Sequence, residues 1–143
     1  MTGTIIVGVD GSNTAQKAAE SARDLALALD APLLVVLAFE NDRTEIYGSG
    51  SDKWIISAAG DAEKAAKSVA DSLRSGDLTV SHSVVRGRPS DALIEEAARV
   101  EAGMIVVGNR RMRGIGRVLG SVANSVAHNA PCDVYIANTY DAE

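Results

Sequence analysis

Short apolar runs alternate along the chain with longer stretches whose apolar positions recur every three or four residues. Thr4-Ile-Ile-Val-Gly-Val9 is a β-branched run that predicts a strand, and it ends at Asp10-Gly11-Ser12. The stretch after it places Ala15, Ala18, Ala19, Ala22, Leu25, Ala26 and Leu29 on one helical face, with Ser12 or Asn13 available as cap and Asp30-Ala-Pro32 as stop. Leu33 to Ala38 predicts a second strand. Phe39 to Trp54 is polar, glycine-rich and without a clean period, so it reads as a long excursion, and Ile55 to Leu73 reads as an alanine-rich helix. Leu78 to Val85 alternates as a third strand; Arg86-Gly-Arg-Pro89 turns into a helix over Ser90 to Glu101, with Pro89 suited to the first turn. Met104 to Val107 is a fourth strand. Arg117 to Asn129 carries a helical stripe at Val118, Leu119, Val122 and Val126, and Asp133 to Ala137 is a fifth strand.

Five apolar strands separated by four helical segments, several strands being apolar on both faces, predict a doubly wound α/β domain: a parallel sheet with helices on each side. No repeat, low-complexity tract or linker divides residues 1–143, which read as one domain. Ligands of such sheets collect at the carboxyl ends of the strands, where the strand order reverses. That rule puts Asp10, Ala38 to Glu40, Gly87 and Gly108 on one rim.

Charge sharpens the picture at one place. The chain is formally −5, yet Gly108 to Ser121 holds four arginines (Arg110, Arg111, Arg113 and Arg117) and no acid, leaving −9 for the remainder. An acidic whole argues against nucleic acid or an anionic membrane as partner, so a local basic loop points to a small anion. The start of the chain lacks a basic, long apolar secretory signal, and no apolar run has transmembrane length. With one cysteine, Cys132, no intrachain disulfide can form; a cytoplasmic protein with a buried, inert thiol is the expectation.

A strand that runs into a glycine- and arginine-rich loop and then a helix supplies unpaired backbone N–H groups, close approach and charge, which together suit phosphate. Gly120 lets phosphate near the helix start, and the Ser121 hydroxyl can donate to it. The plainer reading is solvated charge on a loop, but four arginines without an acid repel one another, and guanidinium groups bind phosphate bidentately. Asp10-Gly11-Ser12 caps a helix, or offers a carboxylate to a ribose hydroxyl or a metal. An aspartyl-phosphate phosphatase would need a carboxylate where Gly8 stands. Gly114-Ile-Gly116 to Gly120 misses the dinucleotide spacing and follows the fourth strand instead of the first; no Lys-Ser or Lys-Thr completes a Walker loop. His82 and His128 have no ligand or base at useful spacing, Ser83, Ser121 and Ser125 have no recognisable base, and Tyr47 and Trp54 in the excursion suit packing better than base stacking.

Ile-Ile-Val-Gly-Val-Asp-Gly-Ser near the start, Val-Val-Arg-Gly-Arg-Pro before the third helix, and Val-Val-Gly-Asn through Val-Leu-Gly-Ser-Val to His-Asn-Ala-Pro-Cys-Asp-Val at the end resemble, in order and over essentially the full chain, the universal stress protein family. The resemblance implies a Rossmann-like sheet in the order 3-2-1-4-5, a homodimer paired through the fifth strand at 133–137, and in many members ATP at the rim. The family's ATP loop runs glycine, two residues, glycine, nine residues, glycine, then serine or threonine. Gly108 and Gly120-Ser121 fit its ends, whereas Arg111 occupies the second glycine and lies one residue too near Gly120. Arg111 there either obstructs the close approach or adds charge to the phosphates. The same carry-over sets Val9 and Ala38 beside adenine, Asp10 at the ribose or a magnesium-linked phosphate, Val122 near the base, and Arg110, Arg111 and Arg113 at the phosphates. ATP with magnesium is the expected ligand of a stress-response regulator with no or slow hydrolysis, because no general base is visible. Cyclic AMP is the alternative ligand. A protein-interaction dimer without nucleotide, or more remotely an enzyme on a phosphorylated small molecule, are the alternative functions.

Overall fold

A computed structural model describes residues 3–10, 13–40, 44–47, 54–109 and 119–139. Strands β1 (Ile5–Val9), β2 (Leu33–Phe39), β5 (Val80–Arg86), β6 (Met104–Gly108) and β7 (Asp133–Ala137) form a parallel sheet in the order β5-β2-β1-β6-β7. Counting only these five, the order is the expected 3-2-1-4-5. Helices α1 (Asn13–Leu29), α2 (Ala58–Ser72), α3 (Pro89–Arg99) and α4 (Ser121–Asn129) cover it.

The central strands are buried on both faces, and alternation assigns each side chain to a layer. Ile5, Val7, Val9, Leu33, Val35, Leu37 and Val106 face α1 and α2; Ile6, Leu34, Val36, Ile105 and Val107 face α3 and α4. Full burial of each large side chain is worth about 1.5–3 kcal/mol. The helices over the first layer approach closely because their buried stripes are alanine: Ala18, Ala19, Ala22 and Ala26 on α1, and Ala62, Ala66 and Ala70 on α2. Both α1 and α3 end in a left-handed residue where glycine is usual, Asp30 (φ 51°) and Glu101 (φ 54°). After each the next N–H closes the turn, Ala31 onto the Ala26 carbonyl at 2.9 Å and Ala102 onto that of Ala97 at 2.8 Å, which delivers the chain into β2 and β6.

The excursion after β2 departs from expectation. It contains an antiparallel hairpin, β3 (Thr44–Tyr47) with β4 (Trp54–Ser57), in which Tyr47 pairs with Trp54 and Ile46 with Ile55. The second helix therefore begins at Ala58, not Ile55: Trp-Ile-Ile is an aromatic and β-branched run that favours a strand, and helix-forming alanine starts only after it. The fourth helix begins at Ser121, and Arg117 and Val118 lie outside the described residues.

A buried carboxylate ties α3 to β5. Glu96 is 6 % exposed, and its carboxylate accepts from the Ser83 hydroxyl of β5 at 2.6 Å and from Arg99 Nε and Nη2 at 2.7 and 2.8 Å. The Arg99 guanidinium, with Ser83 assisting against the opposing effect of burial, holds the Glu96 carboxyl below its ordinary range. The unfolded chain thus binds this proton at higher pH than the native one, so the contribution is complete above the ordinary glutamate range and lost as pH falls through the depressed native value. Glu96→Gln is expected to cost about 1–3 kcal/mol at neutral pH and to flatten the acid limb of stability. Urea unfolding from neutral pH downward checks both; an unchanged acid limb in the variant would show that Glu96 does not carry it.

Candidate functional site

The carboxyl ends of β1, β2 and β6 open into a cleft of about 170 Å³. It lies where the strand order reverses. From β1 the chain turns through Asp10 into α1 and on to β2 on one side, while β6 leads on to β7 on the other. Val9, Asp10, Thr14 and Ala15 form one wall, and Val36 and Ala38 of β2 with Val107 and Gly108 of β6 form the floor and rim. Pro89 and Leu93 of α3, Val122 and Ala123 of α4, and Thr139 beyond β7 complete it.

Two glycines let neighbouring side chains close in beside the cleft. Gly8 pairs with Val36 in the ladder and faces α3, whose Leu93 methyl would stand 2.9 Å from a Cβ at that position. Gly108 faces α1, and a Cβ there would meet Thr139 Cγ2 at 3.0 Å and Oγ1 at 3.2 Å. Two adjacent central strands thus carry glycines at or next to their last residue, and neighbours from opposite faces occupy the space of the missing side chains. The cleft walls are set by backbone and branched apolar groups, a surface suited to a flat ring. Asp10, exposed at the end of β1, is the sole acid among the described lining residues.

Five of the expected site residues line this cleft: Val9, Asp10, Ala38, Gly108 and Val122. Gly120 and Ser121 stand at the start of α4, as N-cap and first residue, immediately before the lining pair Val122 and Ala123. Arg110, Arg111 and Arg113 lie outside the described residues. Sequence reasoning missed Gly8, Thr14, Ala15, Val36, Pro89, Leu93, Val107, Ala123 and Thr139. Strand alternation could have found Gly8, Val36 and Val107, which share the face of Ile6 and Leu34; nothing in the pattern marks Thr139, which follows the last strand.

Other singled-out groups sit elsewhere. His82 Nε2 lies 2.5 Å from Glu63 Oε1, joining β5 to α2, and His128 is exposed in the last turn of α4. Ser83 is engaged with Glu96, away from the cleft. Cys132 is half-buried, and burial followed by the neighbouring Asp133 pushes its thiol up, so it stays protonated and a poor nucleophile at neutral pH.

The comparisons with known proteins agree with the fold. The model of the universal stress protein family matches residues 1–138. A universal stress protein of Mycobacterium tuberculosis is 33% identical over 147 residues, covering 95% of this chain and 96% of that protein. Among solved structures, a universal stress protein in complex with cAMP superposes with a TM-score of 0.74 at 30% identity, covering 96% of this chain and 98% of the other. A universal stress protein of Archaeoglobus fulgidus in complex with dAMP superposes with a TM-score of 0.71 at 22% identity over 94% and 97% of the two chains, a likeness of fold. The chain belongs to the universal stress protein family.

Proposed function

We propose that this chain is a nucleotide-binding stress-response regulator of the cytoplasm, a single domain over residues 1–143 that holds ATP in the cleft between β1 and β6. The observation that carries the reading is the cleft itself: a largely apolar slot at the strand-order reversal, lined by a carboxylate and by the first turn of a helix. Val9, Val36 and Val107 suit the base, and backbone groups at Val9 and Ala38 suit its polar edge. Asp10 suits the ribose hydroxyls. The start of α4, from Gly120 and Ser121, suits phosphate through its N–H groups and dipole, and Arg110, Arg111 and Arg113 supply charge from the loop before it.

Magnesium fits this reading as a passenger of the phosphates. Among the described residues no three of His, Cys, Asp and Glu stand together as a metal site, so the ion would take phosphate oxygens and water as most of its ligands, with Asp10 the carboxylate of the described lining. The described lining residues include no histidine and no second carboxylate to activate water, which suits binding with no or slow hydrolysis.

Cyclic AMP is the second reading. The solved relative at 30% identity holds it, and its single phosphate asks less of a loop in which Arg111 replaces a glycine. Either ligand serves a homodimer joined through β7. Tyr135 and Ile136, on opposite faces of that edge strand, are 43% and 38% exposed, so a second copy would extend the sheet and cover both. No helix among the described residues is long and apolar enough to cross a membrane, and the acidic chain suits neither nucleic acid nor an anionic surface.

Calorimetric titration with ATP, ADP and cyclic AMP, each with magnesium, is expected to give micromolar affinity, about −8 kcal/mol, for ATP or cyclic AMP. No heat with any of the three would replace the nucleotide reading with that of an interaction dimer. Gly120→Val is expected to abolish binding and leave the fold, since φ −60° and ψ 156° at this N-cap are open to any residue while a branched side chain fills the approach to the helix start; an unchanged affinity would mean that phosphate binds elsewhere. Ile136→Lys is expected to turn the dimer into monomers in sedimentation equilibrium, and a dimer that survives the substitution would point to a different interface.

A further inference from the structure

Asn109 stands where the ladder between β6 and β7 runs out. Gly108 and Ala137 are the last register partners, and one residue further a side chain takes over from the backbone. Asn109 Oδ1 accepts from the Thr139 backbone N–H at 2.7 Å and from the Thr139 hydroxyl at 3.2 Å, and Asn109 Nδ2 donates to Asn138 Oδ1 at 3.3 Å. A backbone N–H can only donate, so the amide oxygen must be the atom that faces Thr139. The contacts to Thr139 are made out of water: Asn109 is 8% exposed and Thr139 fully buried. Leaving such an N–H without its acceptor is costlier than the bond is worth at a surface.

Thr139 lines the cleft, whereas Asn109 does not. Thr139 also fills the space beside Gly108, and Ala18 of α1 closes the far side at 3.7 Å from the same hypothetical Cβ. The wall of the cleft at β6 therefore depends on a residue outside any strand or helix, held by the amide of a residue that reaches no ligand. We propose that Asn109 is a positioning residue of the nucleotide site, acting through Thr139. It keeps the Thr139 side chain against Gly108 and so fixes the distance between the end of β6 and the start of α1, where base and ribose would lie. This inference rests on the nucleotide reading above and assigns to it a residue that touches no part of the ligand.

The test separates position from stability. Asn109→Ala removes all three bonds; Thr139→Val keeps shape and the backbone N–H bond but loses the hydroxyl. Titration with ATP and cyclic AMP, below the melting range of every variant, is expected to show affinity falling about tenfold or more for Asn109→Ala and about threefold for Thr139→Val. Leu73→Val trims a fully buried core residue beyond the end of α2, outside the cleft lining, and is expected to lower the Tm while leaving affinity unchanged. Wild-type affinity in Asn109→Ala, or a loss in Leu73→Val that tracks its Tm, would overturn the positioning role. If Asn109→Ala does not fold, Thr139→Val decides, and its binding as tightly as wild type overturns the proposal. Failure of the wild-type protein to bind either nucleotide would remove this inference together with the nucleotide reading, whereas wild-type binding with indifferent variants would remove this inference alone.

Discussion

The handedness of the crossovers shapes everything at the rim. A strand, a helix and a parallel strand in one sheet connect in a right-handed sense. From β1 the chain steps to β2 in one direction, and from β6 it steps to β7 in the other. Right-handed connections in opposite directions must pass over opposite faces, so α1 lies on one side of the sheet and α4 on the other. The two helices start from neighbouring strands and diverge, and no side chain has to be removed to make the gap between them. It is a property of the winding.

What the sequence adds is depth and shape. Alanine along α1 lets that helix settle close to the sheet, which brings Ala15 and Ala18 to the edge of the gap. Gly8, one residue before the end of β1, and Gly108, the last of β6, have no side chains, and Leu93 and Thr139 come in from opposite faces to occupy what a Cβ would take. α3 cannot drift from this arrangement, because Glu96 is tied to β5 by Ser83 and braced by Arg99. A buried carboxylate of this kind adds little net stability over an apolar substitute, yet losing one partner leaves charge without compensation. Its effect is to specify where α3 sits, and hence where Pro89 and Leu93 meet the cleft.

The layered fold was legible because period and propensity agree over most of the chain. Strands buried on both faces appear as unbroken apolar runs, and alanine stripes at helical spacing mark α1 and α2. The helix predicted from Ile55 failed where two signals compete. Trp54, Ile55 and Ile56 sit next to a long alanine-rich helix, and a window spanning both averages away the strand. The site was partly legible for a similar reason. Asp10, Ala38 and Gly108 are found by asking where strands end, and Val9 and Val122 come from the family resemblance, but Leu93 and Ala123 enter from helices whose packing angle no local pattern encodes. Thr139 is the extreme case, brought to the rim by a side-chain bond across thirty positions of sequence.

Charge gives the cleft a direction that its apolar walls lack. A base fits a flat slot either way round, so walls of valine and leucine cannot by themselves orient a nucleotide. Asp10 at the end of β1 repels phosphate and accepts from hydroxyls, while the start of α4 favours anions through its unpaired N–H groups and dipole. On the proposed nucleotide reading, a ligand with hydroxyls at one place and negative charge at another would be turned so that its ribose meets β1 and its phosphate meets α4. The arginines gathered between Gly108 and Gly120 lie, in sequence, between the last residue of β6 and the N-cap of α4. On the same reading their charge would add to that preference, so that a chain of net negative charge would confine its affinity for anions to one cleft.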